Sequence, residues 1–222
     1  MSKKKKDEIK IKMLKKYKIP LIILFLLIVI CVSLLIAKHY LFDKDRNKPT
    51  VYSSILDSME SYGYTLDNQD SKLFKDTYYE LKKILDADEI DYDAYSQKLS
   101  ELFIIDLYTI DTKINRFDVG GVEYLYENEK EMFKNKVMDT LYESLEDNSY
   151  GTRKQELPSV KKLILEDSKK VDYKIDDKKL NGIKYTYTIE YEKDLGYDKN
   201  IEIIAVKDSE KVFIVEFAPV KK

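Results

Sequence analysis

The chain is short of the residues that staple, punctuate or catalyse. Its 222 residues include one cysteine (Cys31), one histidine (His39), no tryptophan, six glycines and four prolines. Cys31 lies inside an apolar run, so the rest of the chain can form neither disulfides nor Cys/His zinc sites. With His39 the lone imidazole, at the edge of the same run, a Ser-His-Asp or Cys-His catalytic arrangement is excluded from the remainder. His39 itself reads as an interfacial residue rather than a pH sensor. Few Gly and Pro beside many Ile, Leu and Tyr exclude a disordered or low-complexity chain.

What the chain does have is one long uncharged stretch, Leu21-Ile-Ile-Leu-Phe-Leu-Leu-Ile-Val-Ile-Cys-Val-Ser-Leu-Leu-Ile-Ala37. Counted from Ile19, at helical rise it covers about 28 Å, close to the hydrocarbon thickness of a bilayer. Residues 19–37 are therefore expected to form a transmembrane helix. Pro20 falls in its first turn, where the missing N–H costs nothing, and Ser33 can bond back to its own helix. A cleaved signal peptide shares the charged start and apolar stretch. Its processing sites fit poorly, because Ile30 precedes Cys31 where a lipoprotein needs a small residue, and Cys31-Val-Ser33 is a weak cleavage pattern.

Charge divides at this run. Lys3 to Lys6, Lys10, Lys12, Lys15, Lys16 and Lys18 all precede it, so residues 1–18 read as a basic cytoplasmic tail and the larger part is expected outside. The tail's lysines serve topology and anionic-lipid contact before nucleic acid. Residues 1–38 hold ten lysines and two acids, which leaves 29 basic and 39 acidic side chains for the rest. That acidic balance argues against a nucleic-acid surface. Residues 38–50, closed by Pro49, read as a stalk, and residues 51–222 are long enough for one domain with a real core.

Periodicity within 51–222 predicts helices first and strands later, an α+β order. A short helix is expected through Ile55, Leu56, Met59 and Tyr62, broken by Gly63, with Tyr64-Thr-Leu66 as a brief strand. Residues 70–85 place Phe74, Tyr78, Leu81 and Leu85 at helical spacing behind a capping Asp or Ser. Residues 92–114 align Tyr95, Leu99, Leu102, Phe103, Leu107, Ile110 and Ile114 on one stripe, the pattern of a central helix. A further helix begins near Asn128, with Glu129 and Glu131 at its positive end and Phe133, Val137, Leu141 and Leu145 inward.

From Pro158 the period becomes two. Residues 160–175 form a strand or bent pair, joined through 176–182 to a strand in which Ile183, Tyr185, Tyr187, Ile189 and Tyr191 alternate with polar residues. Residues 201–206 and 212–215 are apolar on both faces and are expected centrally in the sheet, with Asp208-Ser-Glu-Lys211 as the turn between them. The total is at least four antiparallel strands.

Motifs that could carry chemistry are few. Gly120-Gly121 lacks the preceding strand and the following Gly-Lys-Ser/Thr of a phosphate loop, and reads as a turn. Asp194-Leu-Gly-Tyr-Asp198 has calcium-type ligands without the alternating acids of an EF-hand, and reads as a hairpin turn. Asp106, Asp111, Glu190 and Glu192 could serve a carboxylate-dependent hydrolase if buried, but nothing ties two of them to one cleft. No cofactor or metal site is indicated.

The order of helices followed by an antiparallel meander resembles the cystatin-like α+β fold of the nuclear transport factor 2-like superfamily. A short basic tail, one span and an outer domain of this kind is similar to the architecture of single-pass scaffold components of bacterial conjugation and type IV secretion machines. Segments such as Phe103-Ile-Ile-Asp-Leu-Tyr-Thr-Ile110, Asp118-Val-Gly-Gly-Val-Glu-Tyr124 and Glu192-Lys-Asp-Leu-Gly-Tyr-Asp198 look like those of small anchored proteins of low-GC Gram-positive bacteria. The resemblance carries no functional residues across. It implies a curved sheet around a cavity, and Tyr185, Tyr187 and Tyr191, on one strand face, are the candidate pocket residues. A tyrosine-rich core is the competing account of the same three side chains.

The expected function is that of a non-catalytic single-pass membrane protein whose extracytoplasmic domain binds an envelope protein partner in a surface or transfer assembly. The alternative is an extracytoplasmic module that binds or senses a small ligand or wall fragment. A carboxylate hydrolase is the third reading. The partners expected are the membrane and an envelope protein, with no nucleic acid, and a homo-oligomer is compatible with the sequence.

Overall fold

Two compact units divide the chain, Met1–Pro49 and Thr50–Lys222. The computed structural model describes residue 20 and residues 23–34, 50–175 and 177–220. The basic tail, His39 and the stalk as far as residue 49 lie outside the described residues. In the first unit residues 23–34 are helical, and Ser33 Oγ bonds back to Val29 O (2.8 Å) and Ile30 O (2.9 Å), as its place in an apolar helix requires. Large apolar side chains from Ile23 to Leu34 are exposed around this helix. Among the described residues no helix is long and apolar enough to cross a membrane, and the ends of the expected 19–37 span lie outside them.

The second unit is α+β, with a β-hairpin ahead of the helices. Strands β1 (Ile55–Met59) and β2 (Tyr64–Asp67) pair antiparallel, where a short helix was expected over 55–62. The apolar spacing there suits a helix, but Ile55 and Leu56 are exposed and bury nothing. Gly63, at φ +70°, turns the chain and lets Met59 face Tyr64, so the segment pairs with its neighbour instead.

Helix α1 (Lys72–Leu85) starts at Ser71, whose Oγ accepts from Phe74 N (3.1 Å), and buries Phe74, Tyr78, Leu81 and Leu85 as its periodicity predicts. Helix α2 (Tyr92–Tyr108) is capped by Asp91 and buries Leu102 through Ile105 as well as the predicted stripe, so it runs through the core. It stops six residues before the expected end at Ile114. Ile110 N and Asp111 N turn away to Pro158 O (3.0 and 3.3 Å), and the chain continues as a short 3-10 turn, Ile110–Thr112. Helix α3 (Glu127–Met138) buries Phe133 and Val137 and ends in turns, within which Tyr142 reaches back to Leu107 O (2.8 Å).

Strands β3 (Val160–Ile175), β4 (Lys178–Tyr191), β5 (Asn200–Asp208) and β6 (Lys211–Pro219) form an antiparallel sheet in the order β3-β4-β5-β6. Strand β3 is one long strand, and residues 178–182 belong to β4 rather than to a loop. β5 is central as expected, whereas β6 is an edge. Its apolar residues are buried because α2 and the β1–β2 hairpin cover that side: Val212 N donates to the Tyr95 hydroxyl and Val212 O accepts from Tyr64, each at 3.3 Å. Two edge-strand groups are thereby satisfied by side chains. Ser209, at φ 60°, begins the two-residue β5–β6 turn.

Candidate functional site

Tyr185 and Tyr187 share the face of β4 that carries α2, and the helix closes over them. Both are buried, with hydroxyls directed at Asp93 O (3.3 Å) and Gln97 O (3.5 Å). Burial raises both phenols, that of Tyr185 up to about 12, with the nearby Ser96 hydroxyl working the other way. Tyr191 lies at the other end of the strand and donates to Asp198 O (2.8 Å) within the β4–β5 connection. These residues read as core and rim tyrosines that bind α2 to the sheet.

Open space begins one step past Tyr185. Strands β3 and β4 run on beyond the first turn of α2, and along the face that α2 covers elsewhere the side chains change from aromatic to charged. The register pairs Lys170 with Ile183 and Asp172 with Asn181, and Ile183 with Ala205. The cleft left there has a volume of about 550 Å³, within the range of small-molecule sites. Its floor is Ile183, Ala205 and Val212, and its walls are Tyr92 and Ser96 of α2 with Lys170, Asp172, Asn181 and Lys207 of the sheet. Gly182 borders it because a Cβ there would press on Ala205 O and Val206 Cγ1 at 3.0 Å.

The polar groups of this cleft differ in how far they are committed. Lys170 pairs with Asp93 (3.0 Å). Lys207 lies over the Tyr92 ring, Nζ 3.1 Å from the centroid, a cation–π contact with no carboxylate in the pair. No ion pair engages Lys207 or Asp172 among the described residues. Ser96 is buried, and its hydroxyl lies beside that of Tyr185 at the inner end of the cleft.

A second cleft, of about 470 Å³, opens between β2, α1 and the Gly120-Gly121 turn. Its carboxylates are engaged from within the fold. Asp106 accepts from Gly121 N (2.6 Å) and pairs with the buried Lys113. Glu123 accepts from Thr65 N (3.1 Å) and Thr65 Oγ1 (2.9 Å), Asp70 from Asp67 N (2.6 Å), and Asp118 from Ile114 N (2.9 Å). Burial, reinforced by the charge of Asp106, raises Glu123 to about 7 and Asp70 to about 6. For Lys113 burial favours the neutral amine, but Asp106 outweighs it and holds the ammonium charged. These groups clamp the β1–β2 hairpin and the α2–α3 connection to one another.

The other carboxylates singled out in the sequence are not gathered. Asp111 is exposed in the 3-10 turn and Glu190 and Glu192 are exposed at the end of β4, and Asp106 is committed to Lys113 and Gly121. Asp194 is held by Lys199 (2.6 Å), and Gly196, at φ +81°, makes the turn. Among the described residues no group of three or more His, Cys, Asp or Glu is placed to hold a metal ion. Gly121, at φ +80°, and Gly120, where a Cβ would lie 2.3 Å from Asp106 O, are glycines of close packing rather than of phosphate binding.

No family model matches the chain, and neither does any curated protein or solved structure. The functional reading therefore rests on the cleft. Its residues were missed in the sequence because Lys170, Asp172, Asn181 and Lys207 look like solvated strand residues until register sets them on one face. The available signal was the end of apolar alternation at Ile183 while the strand continues.

Proposed function

We propose that the chain is a non-catalytic, membrane-tethered binding protein. The uncharged run 19–37 is its single span, the basic tail faces the cytoplasm, and the 51–222 domain lies outside with a ligand held in the cleft at the open end of the sheet. The observation that carries this reading is the 550 Å³ cleft itself, with an apolar floor and uncommitted polar groups beside a closely filled core. The apolar side chains exposed around residues 23–34 support the tether, since such a helix has no solvated face. Three helices followed by a four-stranded antiparallel meander support the likeness to the cystatin-like fold, in which ligands sit between helix and sheet.

A fragment screen by NMR, on the full chain in nanodiscs, tests the cleft. Shifts at Ser96, Ile183, Ala205 and Lys207 are expected, and a library that shifts none of them would overturn the assignment. Proteolysis of intact cells tests the topology, which predicts cleavage of the C-terminal domain from outside.

A protein partner in an envelope assembly is the second reading, favoured by Tyr52, Ile55 and Leu56, exposed on and beside the edge strand β1. In-cell crosslinking from residue 55 is expected to capture one reproducible envelope protein, and an Ile55→Asp, Leu56→Asp variant to lose it. Capture that is unchanged in the variant would rule this surface out.

A further inference from the structure

We infer that the cleft takes a zwitterionic ligand, a short peptide with both ends free. The inference rests on the reading of the cleft as a binding site and adds the class of ligand. Strand register places Asp172 opposite Asn181 on β3 and β4, and Lys207 opposite Val212 on β5 and β6. Gly182 faces Val206 across β4 and β5, so one step further Asn181 comes level with Lys207. Asp172, Asn181, Lys207 and Val212 therefore form one row across all four strands, on the face shared with Ile183 and Ala205.

This row sets an uncommitted carboxylate and an uncommitted ammonium two strands apart, about 10 Å at the backbone given the usual strand spacing of ~4.8 Å. A peptide of two to four residues, at ~3.4 Å per extended residue, spans the distance. Its amino group would meet Asp172 and its terminal carboxylate Lys207. The amide of Asn181 between them would bond its backbone, and its side chains would lie on Ile183, Ala205 and Val212. Ser96, beside the Tyr185 hydroxyl on the α2 side, closes the inner end of the same cleft. A ligand of one sign would leave Asp172 or Lys207 unmatched in the same row.

The test is titration calorimetry on the full chain in nanodiscs with the tripeptide Ala-Leu-Ala, its N-acetylated form, its C-terminal amide and free L-leucine. The free tripeptide is expected to bind, and blocking either end to weaken it about tenfold or more, as loss of one partner of a charge pair does. Lys207→Gln should abolish the preference for carboxylate over amide, and Asp172→Asn the preference for amine over acetyl. Both residues are exposed, so circular dichroism should show these variants folded. Blocked and free tripeptides binding equally would overturn the zwitterion and leave the cleft standing. L-leucine binding as tightly as the tripeptide would overturn the peptide. If none of the four binds and the fragment screen also leaves Ser96 and Ile183 unshifted, both readings fall.

Discussion

Tyr64 and Tyr95 share a hydrogen bond of 2.6 Å deep in the core while closing the edge of β6 at Val212. Burial pushes the Tyr95 phenol up to about 12, so it stays protonated at neutral pH and can donate and accept at once. Tyr95→Phe is expected to cost ~1–2 kcal/mol by denaturant unfolding, since it takes one partner from the Tyr64 hydroxyl and leaves Val212 N without its acceptor. Gly120→Ala should cost more, ~3 kcal/mol or a failure to fold, because the new methyl would overlap the Asp106 carbonyl backbone. Glu123 and Asp70 set a pH dependence whose sign follows from their raised pKa values. Between about pH 4 and 7 the folded chain keeps protons that the unfolded chain has released, so these groups stabilise most at low pH, and stability falls as pH rises through 6 and 7. The domain should therefore be more stable at pH 5.5 than at pH 8, by ~2 kcal/mol from Glu123, since only the span from 5.5 to about 7 is lost between those two values. Glu123→Gln, which keeps an acceptor for Thr65 N, should flatten most of that slope.

Elements were legible where one face of a long segment is buried against the core. α1, α2 and the alternation of β4 follow from apolar spacing alone, because burial selects the residues that define the period. Errors fell where a neighbour outside the segment decides. Residues 55–59 become a strand because β2 is four residues away across Gly63, and α2 ends early because Pro158 offers its carbonyl. The β5–β6 turn carries strain of its own. Ser209 holds a positive φ of 60° that favours glycine, so Ser209→Gly is expected to stabilise the domain by ~1 kcal/mol, read as a shift of the urea midpoint at constant slope.

For the whole molecule, the buried core runs from Met59 to Ile214 and lies within the second unit. A fragment of residues 50–222 is therefore expected to unfold cooperatively, with a midpoint matching that of the full chain in detergent, checked by calorimetry. The sequence alone determined the α+β class, the separate apolar run, the absence of Cys/His chemistry outside it and the core faces of the main helices. Each is a matter of composition or of a period repeated along one segment. The site belongs to the tertiary structure. Tyr185 and Tyr187, lined up for a pocket, are closed off by α2, while the open cleft is built from Asp172 and Asn181 of one hairpin and Lys207 of the next strand. Nothing local marks these three, because what joins them is strand register and the point at which a helix stops covering the sheet.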